Sequence, residues 1–167
     1  MIMLGVDPGF SVTGFGIMKK EGGKTFILDY GALRMSSKDS LSRRTALFHD
    51  FFTSKITEWK IEAIALETPF LGKNAQSFLK LGYLRGILYL LADRFNLPLI
   101  EVSPRSVKLA VTGSGSAPKE QVARVIGHLF RDLTVPKTLD ITDALAVTLC
   151  GIWHSNKATL PVGYLGH

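Results

Sequence analysis

Residues 2–7 (Ile-Met-Leu-Gly-Val-Asp) form an apolar run closed by an acid and then by Pro8-Gly9, the pattern of a buried strand ending in a turn. Residues 13–19 and 25–34 predict two further strands, with Glu21-Gly22-Gly23 as the hairpin turn between them. Ser40 is placed to cap a helix running to about Trp59. In that stretch Leu41, Leu47, Phe48, Phe51, Phe52, Ile56 and Trp59 form one broad apolar face. Residues 61–67 (Ile-Glu-Ala-Ile-Ala-Leu-Glu) predict a fourth strand, broken by Thr68-Pro69. A mixed loop over 68–74 leads to a long helix from about Ala75 to Phe95, then a fifth strand from Pro98 to Val102 and a short helix over 104–112. Gly113-Ser114-Gly115-Ser116 is a flexible joint, and Pro118 suits the first turn of a helix to about Leu133. Thr138 is placed to cap a last helix over 139–154.

Three meandering strands followed by alternating strand and helix predict an α/β fold: a five-stranded mixed sheet with helices on both faces. With 167 residues the chain has the length of one domain. That domain is expected over 1–155, with 156–167 (containing Pro161, Gly163 and Gly166) as a loosely ordered tail. A 46% apolar, 20% charged composition excludes a disordered chain. The one cysteine, Cys150, lies among apolar neighbours and reads as a small buried hydrophobe. The apolar start is too short for a secretory signal, and the apolar stretch near residue 90 carries Arg85 and Asp93, so no membrane helix is expected. A soluble protein of the cytoplasm is the expectation.

Charge changes the picture. The net +6 is segregated: residues 73–131 hold nine Lys and Arg (Lys73, Lys80, Arg85, Arg94, Arg105, Lys108, Lys119, Arg124 and Arg131) against Asp93, Glu101 and Glu120. A concentrated positive field attracts polyanions, of which nucleic acid is the commonest; a solvated basic surface is the bland alternative.

Two acids stand where a buried strand prefers an aliphatic residue: Asp7 ends the first strand and Glu67 the fourth. If those strands are neighbours, the two carboxylates converge at one edge of the sheet. Asp140 and Asp143, three apart at the start of the last helix, share a face. Taken singly, each could cap a turn or a helix start. Together, four clustered carboxylates would raise one another's pKa, and a divalent ion removes the conflict. Oxygen-only ligands select Mg²⁺, with Mn²⁺ as a substitute, over zinc. His49, His128, His154 and His167 make no ligand pattern. A metal site facing a polyanion suggests phosphodiester hydrolysis with two ions clamping the scissile phosphate.

An ordered set of segments now resembles a known family. Leu4-Gly-Val-Asp-Pro-Gly9 with Thr13-Gly-Phe-Gly16, Ala65-Leu-Glu67, Lys73-Asn-Ala75, Leu79-Lys-Leu-Gly82 with Arg85-Gly86, Lys108, Gly113-Ser-Gly-Ser-Ala117 with Lys119, and Asp140-Ile-Thr-Asp-Ala-Leu-Ala146 stand in order and register across residues 2 to about 154. The chain resembles the RuvC family of Holliday-junction resolvases, which implies an RNase H-like fold. The resemblance implies that Asp7, Glu67, Asp140 and Asp143 are catalytic metal ligands; some members carry a histidine where this chain has Asp140. It further implies a homodimer that makes paired symmetric nicks in a four-way DNA junction, leaving 5′-phosphates, with RuvA and RuvB branch-migration proteins as partners.

Phe70 matches the family's aromatic residue that inserts at the junction crossover; from the residues alone it is either a loop-tip wedge or a core side chain. Lys73, Lys80, Arg85, Arg105, Lys108 and Lys119 are the expected phosphate contacts, and Lys108 and Lys119 match family lysines near the site. Gly82 and Gly86, four apart in a helix, serve either a dimer interface or close packing on the chain's own sheet. Three rival readings remain: an actin-like nucleotide-binding module, since Asp7-x-Gly9-x4-Gly14 also resembles a phosphate loop; a junction-binding protein without activity; and another RNase H-like nuclease. The length argues against the first, the intact acids against the second, and the 68–86 block against the third.

Overall fold

The computed structural model describes residues 1–69, 75–130 and 139–155. They form, in chain order, β1 (Ile2–Asp7), β2 (Val12–Glu21), β3 (Lys24–Arg34), α1 (Leu41–Trp59), β4 (Ala63–Glu67), α2 (Ala75–Arg94), β5 (Leu99–Val102), α3 (Pro104–Thr112), α4 (Lys119–Leu129) and α5 (Leu139–Ser155). The sheet order is β3-β2-β1-β4-β5. β1 pairs antiparallel with β2 and parallel with β4, and β4 pairs parallel with β5. The expected five-stranded mixed sheet with helices on both faces is the fold observed.

The near-continuous apolar character of β1 and β4 follows from cover on both faces. One layer packs Leu4, Val6, Ile64 and Leu66 against Phe48 and Phe52 of α1 and Leu84 and Leu88 of α2. The opposite layer packs Met3, Ala63 and Ala65 against Val107 of α3, Val122 and Ile126 of α4, and Leu145, Leu149 and Ile152 of α5. The period-two alternation of strand side chains divides the apolar residues between these two cores. α5 is buried from Ala144 to Ile152 around its whole circumference, which explains its uniformly apolar sequence.

Local chemistry sets the element ends. Gly22 (φ 56°) and Gly23 (φ 81°) make the β2–β3 turn with the positive φ that a tight hairpin demands. Ser40 caps α1 by accepting from Arg43 N at 3.2 Å. Ser103 caps α3 through Ser106 N at 3.0 Å, and Gly113 (φ 78°) ends it. The strand over 61–67 begins at Ala63 instead, because the Ile61 N–H closes α1 on Ile56 O at 3.1 Å. β2 runs further than expected, to Glu21, with Lys20 N bonded to Met1 O at 2.8 Å. Pro118 stands just before α4 rather than inside its first turn, and α4 ends at Leu129 instead of near Leu133. The Thr138 cap and the 156–167 tail lie outside the described residues.

Candidate active site

β1 and β4 are parallel neighbours in the register Val6↔Leu66, so the residues that follow, Asp7 and Glu67, leave the sheet side by side at its carboxyl edge. In open α/β sheets that edge is where ligands bind. On the other side of Asp7, the register places Gly14 of β2 opposite it. Gly14 is glycine for a steric reason: a Cβ there would overlap the carbonyl oxygen of Asp140 and crowd the Ala144 Cβ at 3.3 Å. The first turn of α5 thus crosses directly over the end of β2, which delivers Asp140 and Asp143 to the same corner.

Two of the four acids, Asp7 and Glu67, have their proton affinity raised by burial and by the neighbouring carboxylates. The Asp7 carboxyl is pushed up to about 7, first by burial, then by the charges of Glu67 and Asp143, with Lys119 opposing and Asp140 adding to the rise. Glu67 is also raised, by burial and by Asp143, against the pull of Lys119, Lys108 and Arg85. Lys119 donates to Asp143 Oδ2. Burial lowers the proton affinity of Lys119, but its bond to Asp143 and the charges of Asp143, Asp7 and Glu67 outweigh that and hold it above the usual lysine value. A cleft of about 140 Å³ opens between these groups, lined by Glu67, Lys108, Lys119 and Asp143 above Pro104, Val107 and Val122.

The donor set is made of carboxylate oxygens, the ligand type that fits a hard divalent cation. As the side chains stand, no three His, Cys, Asp or Glu residues among those described converge within reach of one ion. Lys119 supplies the positive charge at Asp143 in this arrangement.

Around the acids, the turn after β1 is held by Thr13, whose hydroxyl donates to Gly9 O at 2.8 Å and accepts from Gly9 N at 3.2 Å. The Arg44 guanidinium lies 3.8 Å from the Phe10 ring centroid and donates to Phe10 O, tying the same turn to α1. Lys80 sits 5.8 Å from that ring. The sequence marks Thr13 and Gly14 only as part of the Thr13-Gly-Phe-Gly16 segment, and nothing in it marks Arg44 for this contact.

The expected DNA contacts divide. Lys80, Arg105 and Lys119 are exposed, and Lys108 is half-buried along the cleft. Arg85 corrects the expectation: it is 8% exposed, and its guanidinium turns inward to Glu67 O and Glu101 instead of outward to a phosphate. Phe70 and Lys73 lie outside the described residues. Gly82 and Gly86 do not pack on the chain's own sheet, since an added Cβ at either meets nothing among the described residues within 4 Å. They lie on a face of α2 that also exposes Leu79, Tyr83 and Leu90. Cys150 is buried, with His154 Nδ1 at 3.5 Å from its sulfur. Among the described residues no helix is long and apolar enough to cross a membrane.

The sequence profile of the family Crossover junction endodeoxyribonuclease RuvC matches residues 3–151. The chain is 43% identical over 152 residues to the protein of that name from Pelodictyon phaeoclathratiforme, covering 91% of this chain and 80% of that one. It is 43% identical over 155 residues to the protein of the same name from Chloroherpeton thalassium, covering 93% and 83%. Among solved structures, T. thermophilus RuvC in complex with Holliday junction substrate shares the fold with a TM-score of 0.85 at 24% identity, over 95% of this chain and 98% of that chain.

Proposed function

The chain belongs to the Crossover junction endodeoxyribonuclease RuvC family, and from that premise we propose how its carboxylate cluster does the cutting. The protein is a nuclease of the Holliday-junction resolvase type, a hydrolase of phosphodiester bonds in four-way DNA. We assign the catalytic site to Asp7, Glu67, Asp140 and Asp143 within a nuclease domain spanning 1–155. The observation that carries this assignment is geometric: the β1–β4 register sets Asp7 beside Glu67, and the start of α5, with Asp140 and Asp143, packs over Gly14 opposite Asp7.

Asp7, Glu67, Asp140 and Asp143 would hold the metal, which we take to be Mg²⁺, with Mn²⁺ able to substitute, and two ions per site. Bound there, the ions would supply Lewis acidity toward the attacking water and positive charge toward the scissile phosphate. The chain's own residues do the rest. Asp7, half-buried at the end of β1 between Glu67 of β4 and Gly14 of β2, would supply a central donor. Lys119 and Lys108, which border the cleft, place positive charge where negative charge grows on the phosphate.

Lys80 and Arg105, exposed beside the site's elements, serve as phosphate contacts, together with Lys73 by its match to the family motif. Phe70 is assigned to the junction crossover on the same ground. The open glycine face of α2 supports a homodimer, which a two-fold junction calls for. RuvA and RuvB are the partners we assign by family, with the cytoplasm as the place of action.

The test is a synthetic four-way junction incubated with Mg²⁺ and scored for symmetric nicks against a linear duplex. Paired nicks lost in Asp7→Asn, with junction binding kept, support the assignment; comparable cutting by Asp7→Asn removes Asp7 from the mechanism.

A further inference from the structure

We propose that Arg85 is a positioning residue for Glu67, holding the end of β4 so that the Glu67 carboxylate meets the metal; this rests on Glu67 being a ligand. Arg85 belongs to the buried face of α2, between Leu84 and Leu88. At 8% exposure its charge is cut off from water, a costly placement that three polar contacts offset. Nη1 donates to the backbone carbonyl of Glu67. Nη2 donates to Glu101 Oε1 of β5 and to the Tyr89 hydroxyl at 3.1 Å. Tyr89 closes the ring by donating to Glu101 Oε1 at 2.6 Å.

The location of the first contact is what gives the network a function. Glu67 is the last residue of β4, and Pro69 follows two positions later. On the β5 side the sheet continues one bond further, Thr68 N to Val102 O at 2.8 Å. On the β1 side the paired register stops at Val6↔Leu66. The strand end that carries the ligand is therefore gripped on one side by sheet pairing and on the other by a guanidinium. An aliphatic residue at position 85 would fill the same space in the apolar layer with no desolvation cost, so the charge is kept for what it holds. Groups behind a metal ligand that fix its orientation commonly change metal affinity by about 10–100-fold when removed.

The test measures Mn²⁺ binding by calorimetry, metal-free melting, and the metal dependence of junction cleavage, in Arg85→Gln/Glu101→Gln, Arg85→Lys and Glu67→Gln. The double variant removes both charges of the buried pair together, so neither is stranded. The expected result is a folded protein with Mn²⁺ affinity weakened about tenfold and cleavage partly recovered at higher metal. Arg85→Lys, which keeps a donor for the Glu67 carbonyl, recovers part of the affinity. Wild-type affinity in the folded double variant overturns the proposal and leaves Arg85 a brace between α2 and β5. If the double variant does not fold, Arg85→Lys decides: a few-fold loss of affinity supports positioning, and none overturns it. Glu67→Gln separates the two readings, because unchanged Mn²⁺ binding there refutes Glu67 as a ligand, whatever Arg85 does.

Discussion

Lys119, the first residue of α4, donates its ammonium proton to Asp143 of α5, 24 residues further along the chain. The contact puts a positive charge beside a carboxylate cluster in which the proton affinities of Asp7 and Glu67 are raised by burial and by their acidic neighbours. Lys119 thus has two relationships to the site: it counters the acids, and it borders the cleft in which phosphate charge would develop.

These roles separate in Lys119→Gln. Cleavage at saturating metal should fall by about 100-fold, the usual loss when one donor to a developing negative charge is removed. Metal affinity should hold or rise, because the competing ammonium is gone from Asp143. Mn²⁺ calorimetry beside single-turnover cleavage checks both halves. A parallel loss of metal binding and cleavage would make Lys119 a support for the acids alone.

Burial, with the charges of Glu67 and Asp143 beside it, pushes the Asp7 carboxyl up to about 7 from an ordinary value of 3.8. Between those values the native state holds a proton that the unfolded chain has released, so stability falls as pH rises through that window. The metal-free wild type should therefore melt at a lower temperature at pH 8 than at pH 5. Asp7→Asn should lose most of that slope and exceed the wild type at pH 8 by roughly 1–4 kcal/mol. Melts in chelator across pH 5–8 read this directly; wild type and variant curves that run in parallel would remove Asp7 as the source.

Much of this was readable from residue order, because apolar strands that end in an acid are rare and expensive. Asp7 and Glu67 declared themselves that way, but that their strands are parallel neighbours was open from residue order and is settled by the β1–β4 pairing. Arg85 was misread because charge alone does not reveal direction. It lies among Leu84 and Leu88, but only the fold brings Glu101 and the Glu67 carbonyl to it. Gly14 was legible as part of a motif but not as a steric requirement, since the Asp140 carbonyl that excludes a side chain there comes from the other end of the chain.

Gly14→Ala tests that requirement. The methyl would overlap the Asp140 carbonyl oxygen, a backbone atom that cannot rotate aside. The start of α5 must move, taking Asp140 and Asp143 from Asp7. A stability loss of about 1–3 kcal/mol is expected, with a larger fractional loss of Mn²⁺ affinity than of folding. Thermal melts and calorimetry on the same preparation check it, and a variant with wild-type metal binding would show that α5 tolerates the shift.

The α2 face gives the opposite expectation at its glycines. A Cβ at Gly82 or Gly86 meets nothing among the described residues within 4 Å, so neither position is held as glycine by a contact there. In a lone protomer Gly86→Ala should stabilise α2 by about 0.5–1 kcal/mol, the helix preference of alanine over glycine. If the face joins two copies, with Leu79, Tyr83 and Leu90 exposed beside the glycines, Gly86→Glu should place like charges against each other across the two-fold axis and leave a folded monomer. Sedimentation velocity distinguishes the cases: a wild-type dimer that becomes a monomer in Gly86→Glu, with helical signal unchanged, assigns the interface to this face. A variant that stays dimeric moves the interface elsewhere, because a buried carboxylate pair without a counter-ion would not be tolerated there.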